Sequence, residues 1–148
     1  MSIFGRKPDA SSGRRILIAF GGDLDEVVLA AALRIARAEH ATIVPAYLIE
    51  VPLSCALDSP MHEQVERAMP VIERVEQEAR SAGVAVDSRM ERGRTLRDAL
   101  ARLWHVEHFD RVILPATGGG FTPADLAWAL TVAPTETLVL RSAPREGP

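Results

Sequence analysis

The chain has 148 residues, of which 47% are hydrophobic and 25% charged, and its formal net charge is -3. These values are typical of one globular domain, and the slight acidic excess argues against nucleic acid as a partner. Lys7 is the only lysine and Cys55 the only cysteine, which excludes a P-loop lysine in the folded part and an internal disulfide.

Both ends of the chain are predicted to be flexible tails around one folded domain. Residues 1–13 and 142–148 are polar and rich in Gly, Pro and Ser, which leaves a core over residues 14–141. The sequence has no apolar run of the roughly 20 residues that a membrane span needs. A single cysteine suits a reducing compartment. We therefore expect a cytoplasmic protein with no membrane partner.

The core begins with a strand, a helix and a second strand. Residues 15–20 form an apolar run that ends at Gly21-Gly22, as expected for a strand buried on both faces. A helix is predicted to follow as far as about Glu39, because apolar residues recur there at helical spacing. Residues 42–49 predict the second strand, in which Pro45 indicates a bulge or a locally unpaired stretch.

The middle of the chain continues the alternation. A second helix is predicted from Met61, kinked or split at Pro70 and ended by Gly83. Residues 84–90 alternate between apolar and polar side chains and predict a third strand. A capping box at Thr95 then begins the third helix.

The last part of the core completes five strands and four helices. Residues 110–115 predict the fourth strand, Thr122 caps a short helix with Pro123 at its first position, and residues 137–140 predict the fifth strand. Strict alternation of this kind predicts a doubly wound, Rossmann-like α/β fold. We expect a five-stranded parallel sheet in the order 3-2-1-4-5 with helices on both faces.

Two glycine segments follow strands that are neighbours in this order. Gly21 and Gly22 come after the first strand, and Gly118, Gly119 and Gly120 come after the fourth. Glycines let a ligand approach the main chain, and the first N-H groups of a following helix attract an anion. A phosphate site is therefore predicted in the crevice beyond the carboxyl ends of the strands. The alternative is that these glycines only form tight turns that require positive φ.

The ordered set of segments resembles the universal stress protein family over nearly the whole core. The matching segments are the first strand with its two glycines, the second strand with the trailing Glu50-Val51-Pro52, residues 110–114, and Ala133-Pro134 before the last strand. The resemblance implies a stress-response or regulatory binding module whose protein partner is unknown. It also implies a homodimer, often formed through the last strand, here Thr137, Leu138, Val139 and Leu140.

The chain departs from the ATP-binding branch of that family in two places. Gly21 stands where those members carry an aspartate after the first strand, and the glycine loop that leads to Thr122 is shorter. Leu130-Thr131 stand where the family pattern has glycine followed by serine or threonine. The resemblance therefore implies nucleotide binding that is weakened or lost, and no certain cofactor.

The alternative hypothesis is a nucleotide binder that holds the phosphates of ATP or AMP on the loop 118–122. The resemblance then implies an adenine ring near the main chain of Ala19, Phe20 and Leu48. The full set of residues implied for nucleotide binding is Ala19, Phe20, Gly21, Gly22, Leu48, Leu114, Gly118, Gly119, Gly120 and Thr122.

No catalytic set can be assembled from the sequence. It has no Gly-x-Ser-x-Gly motif and no evident pair of carboxylates. His105 and His108 are three residues apart on the third predicted helix, where the last turn favours histidine, so a metal site is not predicted. An interaction module is the simpler interpretation, with slow ATP hydrolysis as the most that an enzyme hypothesis supports.

Overall fold

The computed structural model describes residues 13–143. Within them, five parallel strands form one sheet in the order β3-β2-β1-β4-β5. The strands are β1 (Arg15–Phe20), β2 (Thr42–Glu50), β3 (Arg89–Gly93), β4 (Arg111–Pro115) and β5 (Thr137–Leu140). The helices are α1 (Glu26–Ala38), α2 (His62–Ser81), α3 (Leu96–Val106) and α4 (Pro123–Val132). The predicted fold class and strand order are confirmed.

The predicted tails fall mostly on residues 1–12 and 144–148, which lie outside the described residues. Among the residues that are described, no helix combines the length and apolar character that a membrane crossing requires.

The strands β1 and β2 are buried on both faces because almost all their side chains are apolar. Ile16, Ile18 and Phe20 of β1 face a core built with α1 and α2, and none of the three is exposed. Leu17 and Ala19 face the opposite core, built with α3 and α4. Alternate residues of one strand thus supply both cores, as the continuous apolar run predicts.

The third strand lies further along the chain than predicted. Residues 84–90 were expected to form it, but β3 covers Arg89–Gly93, and only an isolated bridge between Ile43 and Val86 precedes it. The apolar alternation at 84–86 reflects packing against the core rather than a ladder, since Val84 is buried there. Pairing with β2 begins at Arg89 and ends at Gly93, where the main chain approaches α3 so closely that a Cβ would lie 2.4 Å from the Ala99 nitrogen.

Neither internal proline interrupts its element. The helix α2 runs unbroken through Pro70, so the predicted split is wrong. Its buried stripe of Ala68, Ile72 and other small or branched residues holds both halves against the same core. Pro45 lies opposite Ile18 inside an unbroken β2, so there is no bulge toward β1. Toward β3 the ladder begins only at Ala46, so the alternative prediction of a locally unpaired stretch is confirmed there.

Leu100→Ala tests the core beneath α3. Leu100 is fully buried, so truncation removes apolar burial and leaves a cavity, and we expect the free energy of unfolding to fall by about 2–5 kcal/mol. Urea denaturation measures this loss. Leu53→Ala is the matched control, because Leu53 is 88% exposed and its truncation should change stability little. Equal effects of the two substitutions would contradict the packing described.

Candidate functional site

A cavity opens at the carboxyl edge of the sheet, where β1 and β2 end. Its volume is about 300 Å³. We call it the edge cavity. It is lined by Gly21, Tyr47, Leu48, Ile49, Glu50, Gln64, Arg67, Leu96 and Gly120. These residues come from β2, the starts of α2 and α3, and both glycine segments, so the cavity lies in the crevice that the strand order predicts.

The second strand extends past the first at this cavity. Pairing of β1 with β2 ends at Phe20 opposite Tyr47, whereas β2 continues to Glu50 along β3. The last three residues of β2 therefore project beyond the end of β1. All three of them line the edge cavity.

The two glycine segments are in direct contact. The Gly21 N-H donates a hydrogen bond of 2.7 Å to the Gly119 carbonyl oxygen. Gly120 has φ +87°, and a Cβ there would lie 2.5 Å from the Gly21 carbonyl oxygen. Glycine at position 120 is thus required by both the backbone angle and the close approach. The Gly21 N-H is therefore used within the protein.

A leucine fills the space beside Gly21. A Cβ on Gly21 would lie 2.9 Å from Leu96 Cδ2, and one on Gly120 would lie 3.1 Å from Leu96 Cδ1. Leu96 is the first residue of α3. A side chain at position 21 would therefore meet Leu96 and also the Leu48 carbonyl oxygen, 3.2 Å from the Cβ position.

Main-chain N-H groups at the N-terminus of α3 donate to two carboxylates of the same chain. Glu50 Oε2 accepts the Leu96 N-H at 3.2 Å, and Asp98 Oδ2 accepts the Arg94 N-H at 2.8 Å. Thr95 Oγ1 accepts the Asp98 N-H at 3.0 Å. Main-chain donors that could attract an anion at this helix start already have acidic or hydroxyl partners.

The N-terminus of α4, which follows the triple glycine, has a complete capping box. Thr122 Oγ1 accepts the Asp125 N-H and Asp125 Oδ2 accepts the Thr122 N-H. Arg97 Nε donates to Asp125 Oδ1 at 2.6 Å. Burial would raise the pKa of Asp125, but the hydrogen bonds from Arg97 and Thr122 outweigh it and hold that pKa below its usual value. The carboxylate remains ionised beside the loop.

The loop after β2 is fixed by one arginine. Arg94 Nη1 donates to the carbonyl oxygens of Pro52 at 2.7 Å and of Cys55 at 2.8 Å. The carbonyl of Val51 lies 3.3 Å from the same nitrogen. A planar cation bonded to several carbonyls holds the chain in one path beside the end of β2.

The predicted nucleotide residues separate into three groups. Gly21, Leu48 and Gly120 line the edge cavity. Three others lie in the sheet with fully buried side chains, namely Ala19, Phe20 and Leu114. The remaining four belong to the glycine turns and the helix cap and do not line the cavity, namely Gly22, Gly118, Gly119 and Thr122.

Sequence reasoning missed most of the cavity wall. Glu50 could have been found as the polar residue that ends the apolar run of β2. No sequence pattern around Gln64 and Arg67 indicates a binding site, because only the packing of α2 brings these residues to the cavity. His105 and His108 do not share a helix face, since α3 ends at Val106.

Solved structures show which proteins share this architecture. A universal stress family protein from Burkholderia pseudomallei superposes with a TM-score of 0.64 at 18% identity, covering 84% of this chain and 94% of that one. A universal stress protein from Archaeoglobus fulgidus in complex with dAMP gives 0.66 at 12% identity, covering 85% and 96%. One from Arabidopsis thaliana with AMP bound gives 0.67 at 11% identity, covering 88% and 92%.

The chain has the universal stress protein fold. No protein-family model and no curated protein matches it in sequence. The structural likeness therefore establishes the architecture, and the residues of this chain decide what its universal stress protein fold can bind.

Asp125→Asn tests the ion pair at the start of α4. Because the pKa of Asp125 is lowered in the folded state, its charge stabilises the protein above about pH 4, and that stabilisation is lost as the pH falls through the lowered pKa. Asparagine keeps a side-chain oxygen that can accept the Thr122 N-H, but it lacks the negative charge that pairs with Arg97. We expect the free energy of unfolding to fall by about 0.5–1 kcal/mol at pH 7.

The measurement is urea denaturation of both proteins between pH 7 and pH 3, where the difference should shrink toward the acid end. Asp58→Asn is the control, since Asp58 is an exposed loop residue. A difference that stays constant over the whole pH range would contradict a role for the Asp125 charge.

Proposed function

We propose that the chain is a cytoplasmic universal stress protein-like regulatory module, that it works as a homodimer, and that its binding of nucleotide phosphates is weakened or lost. The observation that carries the proposal is the electrostatics of the carboxyl edge. Four helices begin there. Three of them have an acidic side chain bonded to main-chain N-H groups at the start: Asp25 for α1, Glu50 and Asp98 for α3, and Asp125 for α4. The start of α2 has no side-chain cap.

These carboxylates act on phosphate in two ways. They occupy the N-H groups that a helix start offers to an anion. They also place negative charge where the charge of a triphosphate would lie, and like charges at short range repel. The bond from Gly21 to Gly119 removes a further main-chain donor. A ligand bound here gains little from a phosphate group.

The alternative function is ATP or AMP binding with the phosphates on the loop 118–122. Two observations favour it. Solved structures of the same fold are described with AMP or dAMP, and Gly120 of that loop lines the edge cavity. In this alternative the loop would have to open, because the Gly119 carbonyl is bonded to Gly21.

The proposed dimer forms through β5 and α4. Within residues 13–143, β5 pairs only with β4, so its other edge is open in that part of the chain, and its four residues are half-buried. The helix α4 is apolar around its circumference, yet Leu130 is 56% and Val132 is 48% exposed. An apolar helix beside an open strand edge is a surface that a second copy would cover.

Calorimetric titration tests the proposed weakness toward phosphates. We expect ATP to bind with Kd about 1 mM or weaker, which corresponds to about -4 kcal/mol, with or without Mg²⁺. Gly119→Val, measured in parallel, should make no difference to so weak a signal. Micromolar ATP binding that Gly119→Val abolishes would favour the alternative function instead.

Sedimentation tests the proposed dimer. The wild-type chain should sediment at twice the mass of one copy, and Val139→Lys should shift it to monomer, because a lysine on an edge strand opposes pairing with another edge. Val106→Lys is the matched control: Val106 is 76% exposed at the end of α3, away from β5, and its replacement should leave the dimer intact. A wild-type monomer at micromolar concentration would refute the proposal.

A further inference from the structure

We infer that a groove at the amino edge of the sheet, where the strands begin, binds a short acidic segment of a partner protein. Arg34 and Arg37 pair with the carboxylates of that segment. The inference goes beyond the proposed function, because it concerns the end of the sheet opposite the edge cavity and requires neither a nucleotide nor the dimer. The juxtaposition that carries it is two arginines without partners above an apolar floor between α1 and α2.

Arg34 and Arg37 differ from the other arginines of residues 13–143. Neither has an ion pair or a side-chain hydrogen bond within that part of the chain, whereas every other arginine there has at least one. Both are exposed on α1, and a spacing of three residues places them on the same side of the helix. Each guanidinium is a planar fork of N-H donors that fits a carboxylate. Two adjacent forks are therefore left for a ligand.

The two arginines lie beside an apolar floor. They line a cavity of about 340 Å³ between α1 and α2, together with Ala30 and Leu33 of α1 and Ala82 at the end of α2. Leu33 is 5% exposed, so it is held firmly in the core. A ligand bonded to the arginines would also cover apolar surface here, which adds to its affinity.

A second cavity meets the first at Arg37. Its volume is about 470 Å³, and its lining includes Ala36, His40, the start of β2 and residues 83–85. We call the two cavities together the amino-edge groove, because they lie where α1 and α2 end and β2 begins. Two adjoining cavities form an elongated surface, which suits a peptide segment better than a compact ion.

The charges that line the amino-edge groove favour an acidic partner. Arg34 and Arg37 supply two positive charges, and Glu78 supplies the single negative one among its lining residues. Glu78 has no ion pair with either arginine within residues 13–143. Carboxylates and arginines form the strong, often bidentate pairs by which acidic motifs are recognised. The groove is therefore complementary to a segment that carries at least two acidic side chains.

The N-terminal residues of this chain do not suit the groove as well. Arg14 is adjacent to it, because the Arg14 carbonyl oxygen accepts the N-H of Thr42, a lining residue. Residues 1–12 carry Arg6 and Lys7 against the single acid Asp9, so their charge has the same sign as that of the two arginines. The occupant that matches the charge is an acidic segment of another protein.

Fluorescence anisotropy with two labelled peptides tests the inference on the wild-type chain. One probe is acetyl-Gly-Asp-Glu-Leu-Asp-Glu-Leu-Gly-amide, and the other has Asn and Gln in place of every Asp and Glu. The acidic peptide should bind about tenfold or more tightly than the amide peptide, because its hydrogen bonds to the arginines are charge-assisted. The difference should shrink as the ionic strength rises from about 0.01 M to about 1 M, since salt screens exposed charges.

Substitutions assign the effect to its residues. Arg34→Gln with Arg37→Gln should abolish the difference between the two peptides and leave the urea midpoint unchanged, because neither arginine has a partner to lose. Glu78→Gln removes the competing carboxylate and should tighten binding of the acidic peptide about threefold. Arg102→Gln is the matched control: Arg102 is a 43% exposed arginine of α3, on the other face of the sheet, and its loss should change neither affinity.

Four outcomes would overturn the inference. They are equal affinities for the two peptides, an equal loss of binding in Arg102→Gln, displacement of the acidic peptide by inorganic phosphate at the peptide's own Kd, and self-association that the double arginine substitution abolishes. The third would indicate a simple anion site and the fourth a second copy as the occupant. None of the peptide results changes the ATP titration or the effect of Val139→Lys, so failure of the inference stays distinct from failure of the proposed function.

Discussion

The carboxyl edge of this sheet depends on one close contact between two glycine segments. The Gly21 N-H bonds to the Gly119 carbonyl, and Gly120 has no side chain that would collide with the Gly21 carbonyl. This contact joins the ends of β1 and β4, which are neighbours in the sheet. The contact uses the Gly21 N-H and the Gly119 carbonyl, and it leaves a flank formed by β2, α2 and α3 beside it. The edge cavity lies on that flank.

Charge then decides what that flank accepts. In an α/β fold several helices begin at the carboxyl edge of the sheet, and in most such folds their N-termini favour anions. Here acidic side chains are bonded at three of the four helix starts, and Leu96 lies beside Gly21. The same architecture thus presents an acceptor-rich, partly apolar crevice, which illustrates how a fold and its ligand chemistry can diverge.

The sequence was sufficient for the strand order and for most element types, because these follow from apolar periodicity and turn residues. It misplaced the bounds of β3. Only Arg89 and Met90 of the predicted segment pair with β2, and the rest of the strand, from Glu91 to Gly93, has no apolar alternation that could have indicated it. It failed at Pro70 because tertiary packing outweighed a local cost.

The candidate site was only partly predictable, for a similar reason. Gly21, Leu48 and Gly120 could be placed from strand ends and glycines. The other cavity residues come from α2 and from the start of α3, whose relation to the strand ends exists only after folding. That two glycine segments would bond to each other could not be foreseen either, since the pairing spans nearly a hundred residues of sequence and depends on a few tenths of an ångström.

The arginine that fixes the loop after β2 has a kinetic consequence. Arg94 bonds the carbonyls of Pro52 and Cys55 beside the start of α3, so the loop that continues from Glu50 at the cavity has its path before any ligand arrives. The conformational entropy of that loop is lost during folding rather than during binding. Ligand exchange would then be governed by diffusion and by direct contacts, and occupancy would follow rapid changes in ligand concentration without waiting for a loop to close.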